Sequence, residues 1–287
     1  MDLHQFDAYR HRTSTETGEM SYLDVGVGPV ALFVHGLGTN ALLWRNVIGA
    51  VGPQRRCVAL DLPLHGRTPA APGQDFTLPA LAAVVEGLRA ALDLGQVDLV
   101  ANDTGGAVAQ VYAAQHPQHL RTLTLIDCET EGNVPPAAFQ PTVDAAAAGL
   151  LSAGAADLLA DLSAARGLAF GSGYQDVENL PFDVVEAYLH PVLGTFERAQ
   201  EFERFLLSIH DDDLRAVQPQ LRRLTVPTLI VWGTDDPFFE LSHAKSLADL
   251  IPGAAGVAEI DGGRLFLPDE RAADLVPLLL DHWRRHP

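Results

Sequence analysis

Short apolar runs and longer helical patterns alternate along most of the chain. The runs have strand length and occupy residues 21–25, 30–34, 56–60, 97–101, 120–126, 228–232 and 257–260. Helical patterns fall between them, at residues 78–94, 106–116, 242–250 and 269–283. Several runs are apolar on both faces, as is typical of parallel strands covered by helices on two sides. The sequence therefore predicts an α/β fold with one mostly parallel, doubly wound sheet.

The alternation is interrupted between residues 131 and 226, where no strand pattern occurs. Alanine-rich helical stretches such as residues 144–166 and an amphipathic stretch near residues 196–209 fill this segment. It is too long for a structureless loop in a compact domain. We therefore predict a core formed by residues 1–130 and 227–287, and a helical cap formed by residues 131–226 over one edge of the sheet.

Composition limits the partners that the chain can have. Hydrophobic residues make up 47% and charged residues 20% of the sequence, enough to bury a sizeable core. Because 19 basic residues face 37 acidic ones, the net charge of −18 argues against nucleic-acid binding and against docking on anionic membranes. Cys57 and Cys128 fit no metal-binding spacing, so we expect neither a metal nor a cofactor. The polar residues 1–20 and the lack of long apolar runs predict a cytoplasmic protein, and a homodimer stays open.

The sharpest motif is a buried strand that runs directly into a tight turn and a helix, at residues 97–110. Its apex is Asp103, with the small residues Ala101 and Gly105 two positions before and after it, followed by Gly106. Small residues are needed there because the strand and helix backbones approach closely, as in a nucleophile elbow. The helix N-terminus favours an anion at the apex. The alternative is an ordinary helix N-cap, for which Asp is also well suited.

Three further turns follow predicted strands in an order that supports the elbow. Residues 34–38 (VHGLG) have the form of an oxyanion loop, since their glycines free the backbone to present N–H groups. Residues 61–68 follow the next strand, and residues 232–237 (WGTDDP) place Asp235 and Asp236 at the same edge. With these four turns the chain resembles the α/β-hydrolase fold over nearly its whole length. Asp instead of Ser at the elbow makes it similar to the haloalkane dehalogenase and epoxide hydrolase branch.

That resemblance implies a role for each turn. Asp103 would attack an electrophilic carbon and form an ester, and the backbone N–H groups of Leu37 and Thr104 would form the oxyanion hole. Asp236, in preference to its neighbour Asp235, would orient a histidine that activates water. The implied partner is a small-molecule substrate.

The position of that histidine carries Arg264 instead, in residues 260–268 (IDGGRLFLP). A guanidinium stays protonated, with a pKa above about 12, and cannot act as a general base at neutral pH. Arg264 could pair with Asp236 or Asp103 and lower the pKa of that carboxylate, or bind an anionic group of a substrate. A purely structural ion pair is the alternative. We expect these three residues to form the catalytic group.

Other histidines could replace the missing base. His190 and His210 lie in the predicted cap and His243 opens the helix after Asp236, so each could reach the cleft, but no spacing singles one out. His35 belongs to the oxyanion loop, where structural hydrogen bonding competes with substrate binding.

The expected substrate contacts are mostly aromatic. Epoxide hydrolases of this branch use cap tyrosines to polarise the epoxide oxygen, and this cap offers Tyr174 and Tyr188, with packing as the alternative. Trp44 is available to hold a halide but is better explained as helix packing. Dehalogenases place Trp after the nucleophile and Asn in the oxyanion loop, where this chain has Thr104 and Leu37, so dehalogenation is disfavoured. An apolar pocket wall, or else core packing, is expected of Phe238, Phe239 and Phe266.

The sequence thus predicts a hydrolase of a small apolar substrate, similar to epoxide hydrolases. Two other functions stay open because the usual histidine is missing. One is a lyase, isomerase or cyclase in which Asp103 acts as a proton-transfer base. The other is a ligand-binding homologue without turnover.

Overall fold

One eight-stranded sheet forms the centre of the molecule. The computed structural model describes residues 3–287, so residues 1 and 2 of the predicted core lie outside it. The strands run in the order β1-β2-β4-β3-β5-β6-β7-β8. The pairs β1–β2 and β2–β4 are antiparallel, and the other neighbouring pairs are parallel. They are β1 (Arg10–Thr15), β2 (Gly18–Val25), β3 (Val30–Val34), β4 (Arg56–Leu60), β5 (Val97–Asn102), β6 (Leu120–Ile126), β7 (Thr228–Gly233) and β8 (Ala254–Ile260). The predicted fold class is confirmed.

Thirteen α-helices are present in residues 3–287, joined in places by short 3₁₀ turns. They are α1 (Leu3–Asp7), α2 (Arg45–Val51), α3 (Leu78–Ala91), α4 (Thr104–Gln115), α5 (Gln140–Ala147), α6 (Leu150–Ala160), α7 (Leu162–Phe170), α8 (Phe182–Leu193), α9 (Phe196–Leu206), α10 (Asp211–Leu221), α11 (Leu241–Leu250), α12 (Leu267–Glu270) and α13 (Ala272–Arg285).

Strand pairing brings several loops to one edge of the sheet. Every residue of the central strand β5 is buried, and β5 pairs in parallel with β3 on one side and β6 on the other. In register, Ala101 lies opposite Val34 of β3 and Leu125 of β6. Because the carboxyl ends of parallel strands share one edge, the turns after β3, β5, β6 and β7 gather there.

The segment between β6 and β7 holds six helices and no strand within the described residues. Helix α6 packs against α8 and α9, and α5 packs against α6 and α9, so these helices form their own layer. The last helix, α10, packs instead against α3 and α4 of the core.

The longest α-helices in residues 3–287, α3 and α13, have 14 residues each. No single helix there is both long and apolar enough to cross a bilayer. The bent pair 137–147 and 150–160 reaches that length and composition only when its two halves are taken together.

Candidate active site

Asp103 occupies a strained turn between β5 and α4. Its backbone has φ 57° and ψ −141°, a conformation that costs a non-glycine residue about 1–3 kcal/mol. The turn is held because the Asp103 N–H donates to the Asp127 carbonyl at 2.8 Å and the Gly106 N–H donates to the Asp103 carbonyl at 2.7 Å. The Asp103 side chain makes no capping hydrogen bond to α4, which argues against the N-cap alternative.

The glycines after Asp103 are required by close packing. A Cβ atom at Gly105 would overlap the backbone carbonyl of His35, and one at Gly106 would overlap the side chain of Cys128. The turn therefore fits only where the loops after β3 and β6 pass directly beside α4. This accounts for the small residues that follow the apex in the motif.

The amide groups predicted as an oxyanion hole surround the carboxylate of Asp103. The Leu37 N–H donates to Asp103 Oδ2 at 2.8 Å, and the nearby Thr104 N–H also lowers the pKa of this carboxyl. A Cβ atom at Gly36 would overlap Oδ2, so this glycine lets the loop approach. An N–H group bound to Oδ2, with a second N–H beside the carboxylate, is suited to stabilise a negative charge that develops there.

A cavity of about 420 Å³ opens beside Asp103. Asp103 and Glu129 are the ionisable residues on its wall within residues 3–287, and Thr142 supplies a hydroxyl. The rest of the wall is built from backbone and apolar side chains of the core and of α6, α7, α8 and α9. The three predicted phenylalanines line this wall: Phe238, Phe239 and Phe266.

Glu129 is a site residue that the sequence does not predict. It follows β6 and is only 3% exposed. Its Oε1 accepts a hydrogen bond from the Thr104 hydroxyl at 2.6 Å, whereas Oε2 has no hydrogen-bond partner. No motif marks Glu129, but β6 lies next to β5 and ends at the same edge, which is the signal that could have found it.

Burial sets the protonation of this carboxyl pair. Burial raises the pKa of Asp103 well above its usual range, and the charge of Glu129 raises this pKa further. The N–H groups of Leu37 and Thr104 oppose this increase because they stabilise the ionised form. Burial raises the pKa of Glu129 to about 7, against the Thr104 hydrogen bond. Two carboxyls in one apolar cavity do not ionise independently, because the charge of either one makes ionisation of the other more costly.

Asp236 lies behind the cavity wall rather than on it. Its Oδ1 accepts from the N–H groups of Phe238 at 2.7 Å and Phe239 at 3.0 Å, which fixes the loop carrying these rings. Its Oδ2 is buried without a partner. Burial raises the pKa of Asp236 to about 6, and the nearby Arg264 charge opposes this. Its neighbour Asp235 is exposed.

Arg264 does not make the expected ion pair. Its Nη1 donates to the Tyr174 carbonyl at 3.0 Å, and its buried Nε has no partner. Within residues 3–287 no direct salt bridge joins Arg264 to Asp103 or Asp236, and Arg264 is absent from the cavity wall. The expectation of direct pairing is therefore corrected: Arg264 acts on Asp236 through its charge.

The two cap tyrosines are turned away from the cavity, which corrects their predicted contact with substrate. The Tyr174 hydroxyl donates to Asp269 Oδ2 at 2.7 Å, and Arg45 pairs with Asp269 Oδ1 at 2.7 Å. The same guanidinium donates to the Tyr188 hydroxyl at 3.4 Å. Both rings therefore end in one buried polar cluster beside the cavity.

His35 and Trp44 also lie off the cavity wall, so neither makes the substrate contact considered for it, and each takes the structural role given as the alternative. The His35 Nε2 accepts from the Leu62 N–H at 2.9 Å, so the other ring nitrogen, 2.8 Å from the Gly36 carbonyl, is the one that donates. Burial lowers the pKa of His35 to about 4, so the ring is neutral and braces the oxyanion loop. Trp44 is fully buried against Phe33.

The three candidate replacement bases do not reach the cavity. His190 and His210 are exposed, and His243 lies 3.3 Å from the Thr130 hydroxyl in a separate depression. No histidine lines the cavity in the described part of the chain.

A potential metal cluster lies outside this site. In residues 3–287 the group with suitably close ligand atoms is Glu86, His116 and His119. The Glu86 carboxylate there is already bound by Arg89 and by the Tyr112 hydroxyl, so it is poorly available to an ion.

Comparison with known proteins supports the fold. The model of the alpha/beta hydrolase fold family matches residues 29–180. A haloalkane dehalogenase of Mesorhizobium japonicum is 38% identical over 109 residues, which are 38% of this chain and only about a third (35%) of that protein. A cis-3-alkyl-4-alkyloxetan-2-one decarboxylase of Shewanella oneidensis is 26% identical over 292 residues, covering 96% of this chain and 87% of that protein. An alpha/beta hydrolase fold protein from Burkholderia ambifaria has a similar structure, with a TM-score of 0.82 and 20% identity, over 94% of this chain and 97% of that one.

Proposed function

Since the chain belongs to the alpha/beta hydrolase fold family, we propose that it hydrolyses small, largely apolar electrophiles, foremost epoxides, through an ester formed on Asp103. One observation carries this proposal. The Asp103 carboxylate borders an apolar cavity of about 420 Å³ while the Leu37 N–H holds its Oδ2 at 2.8 Å. One oxygen is thus fixed by the backbone, and the other is the natural attacking atom.

The first step is attack of the Asp103 carboxylate on an electrophilic carbon of the substrate. The strained turn and the amide hydrogen bonds restrict the carboxylate to one orientation, which lowers the entropy cost of reaching the attack geometry. The ester that forms keeps its carbonyl oxygen at the Leu37 and Thr104 N–H groups. When water attacks this ester, the same N–H groups stabilise the oxyanion.

The cavity wall favours an epoxide over an alkyl halide. No wall residue within residues 3–287 carries a side-chain N–H group that could bind a departing halide ion. A halide leaving into this apolar space would therefore be poorly solvated. An epoxide keeps its leaving oxygen on the molecule and needs only a proton donor, which a carboxyl group can provide.

A second candidate function is a lyase reaction, and two observations favour it. No histidine lines the cavity in the described residues, so the usual water-activating group is missing. The decarboxylase relative whose match covers 96% of this chain is named for a dialkyl oxetanone, a strained four-membered lactone that carries two apolar alkyl groups.

Product analysis tests these candidates. The protein would be incubated with 1,2-epoxyhexane, 1-bromohexane and a 3,4-dialkyl-oxetan-2-one, and products measured by gas chromatography and mass spectrometry. We expect diol from the epoxide, no diol from Asp103→Asn, and unchanged turnover from Asp157→Asn, an exposed acid of α6. Alkene from the oxetanone without diol from the epoxide would instead establish the lyase reaction. No product from any probe would indicate a ligand-binding protein.

A further inference from the structure

We propose that Glu129 carries the proton in both halves of the reaction, first as the acid that opens the epoxide and then as the base that activates water. This inference rests on the proposed ester at Asp103. It assigns to one buried carboxyl the two tasks that cap tyrosines and a histidine would otherwise perform.

The position of Glu129 supports this role. Asp103 and Glu129 share the cavity wall, and the Thr104 hydroxyl, on the residue directly after Asp103, fixes Glu129 Oε1 at 2.6 Å. The backbone is fixed too, because the Gln110 side chain donates to the Glu129 carbonyl at 2.7 Å. Oε2 remains buried without a protein partner. A buried polar atom without a partner is costly, so it is suited to bind a substrate oxygen or a water molecule.

Other groups that could move a proton are engaged elsewhere. The Tyr174 and Tyr188 hydroxyls lie in the Arg45–Asp269 cluster, and no histidine of residues 3–287 is on the wall.

The charged surroundings of Glu129 come from three neighbouring loops. Asp103 faces it from the loop after β5, and Asp236 acts on it from the loop after β7. On its own loop, Asp127 is buried with Oδ1 bound by the Gly233 N–H at 2.8 Å, and Cys128 is a buried thiol. Arg264 is the nearby cation, and it acts on Asp236. An excess of buried acids makes it costly to ionise both carboxyls of the pair at once. The geometry assigns the charge before reaction to Asp103, whose Oδ2 is held by the Leu37 N–H at 2.8 Å, and the proton to Glu129, whose Oε2 has no donor.

Ring opening consumes that proton. An Asp103 carboxylate oxygen forms a bond to an epoxide carbon as the carbon–oxygen bond of the ring breaks. The released oxygen takes the proton from Glu129, giving a hydroxyl group. Asp103 becomes a neutral ester and Glu129 becomes a carboxylate. Because Asp103 no longer carries a negative charge, Glu129 is easier to ionise.

Ester hydrolysis returns the proton. The Glu129 carboxylate takes a proton from water, and the hydroxide oxygen bonds to the ester carbonyl carbon. The oxyanion collapses, the bond from this carbon to the substrate oxygen breaks, and that oxygen takes the proton back from Glu129. The sum is epoxide plus water giving diol. The proton that the attacking water leaves on the new Asp103 carboxyl then passes to Glu129, so that Asp103 is ionised and Glu129 is neutral again.

The test compares Glu129→Gln with the matched control Glu131→Gln, an exposed residue two positions away. Gln keeps the size of Glu129 and an oxygen for Thr104, but it cannot transfer protons. With 1,2-epoxyhexane we expect turnover by Glu129→Gln to fall about 10²–10⁴-fold, the usual loss without a general acid or base, with little ester on the Asp103 peptide because ring opening lacks its acid. Glu131→Gln should behave as wild type.

A second substrate distinguishes the loss of proton transfer from structural damage caused by the substitution. Hexyl methanesulfonate has a leaving group that needs no proton, so Glu129→Gln should alkylate Asp103 at the wild-type rate and then fail to release the alcohol. If alkylation is also lost, or if Glu129→Gln turns over the epoxide normally, the role of Glu129 is overturned. If the wild type itself accumulates the ester without turnover, Asp103 is a nucleophile but Glu129 is not a base. If the wild type forms neither ester nor diol, the proposed function itself fails.

Discussion

The hydroxyl of Thr104 lies 2.6 Å from Oε1 of Glu129 and joins the turn after β5 to the loop after β6. This bond favours the ionised form of Glu129 and opposes the effect of burial. It therefore links the residue directly after the proposed nucleophile to the proposed acid and base.

Removing that hydroxyl should shift the pH dependence of ester formation. Ring opening needs a protonated Glu129, so its single-turnover rate should fall as the pH rises through the Glu129 pKa of about 7. In Thr104→Val the pKa rises further, and the fall should move to higher pH. Stopped-flow measurements between pH 5 and pH 9 check this, with Thr104→Ser as the control that keeps the hydroxyl. Superimposable profiles of the wild type and Thr104→Val would contradict it.

The buried acids should make the fold less stable as the pH rises. Burial raises the pKa of Glu129 from 4.5 to about 7 and that of Asp236 from 3.8 to about 6, so the folded state binds more protons than the unfolded state in this range. The free energy of unfolding should therefore fall between about pH 4 and pH 7, by on the order of 3 kcal/mol for Glu129 alone. Urea unfolding at several pH values measures this. Glu129→Gln should reduce the dependence of the unfolding free energy on pH, and Glu131→Gln should not. The same pH dependence in Glu129→Gln and the wild type would be evidence against this role of burial.

A methyl group at Gly36 should disable the site while leaving the core intact. The Cβ atom of Gly36→Ala would overlap Asp103 Oδ2, so the carboxylate must move by a distance that commonly costs about 100-fold in rate. Gly167→Ala is the matched control, since a Cβ there meets no atom within 4 Å. The rate of Asp103 ester formation and the thermal midpoint would be measured together. Wild-type ester formation in Gly36→Ala would refute the contact.

The cap tyrosines should matter for stability and not for catalysis. Tyr174→Phe leaves Asp269 Oδ2 without its donor and should cost about 1–3 kcal/mol of unfolding free energy. Because Tyr174 lies off the cavity wall, kcat/KM with 1,2-epoxyhexane should change less than threefold. A loss of 100-fold or more with unchanged stability would show instead that the tyrosine contacts the epoxide.

The central strands and the elbow could be predicted because their signals are local. Runs that are apolar on both faces mark β3 to β7, and the small residues around Asp103 reflect contacts within one turn. Strand β1 is not predicted because Arg10–Thr15 is a polar edge strand that contains no buried residue. The helical pattern at residues 269–283 is interrupted at Arg271, between α12 and α13.

The orientation of a side chain could not be predicted where residues far away in the sequence determine it. The Tyr174 side chain points away from the cavity because its hydroxyl donates to Asp269, which lies 95 positions further along the chain. Glu129 enters the site only because β6 pairs with β5, and nothing in its neighbouring residues shows this. Arg264 could be found by position, but whether it pairs directly with an acid depends on three-dimensional geometry.

Oxygen labelling during one turnover tests the ester on Asp103 most directly. Excess enzyme would be mixed with 1,2-epoxyhexane in H₂¹⁸O, and the Asp103 peptide and the diol analysed by mass spectrometry. The covalent mechanism predicts one ¹⁸O atom in the Asp103 carboxylate and none in the diol, because water attacks the ester carbonyl carbon. Label in the diol with an unlabelled Asp103 would show that water attacks the epoxide directly, and would contradict the covalent mechanism.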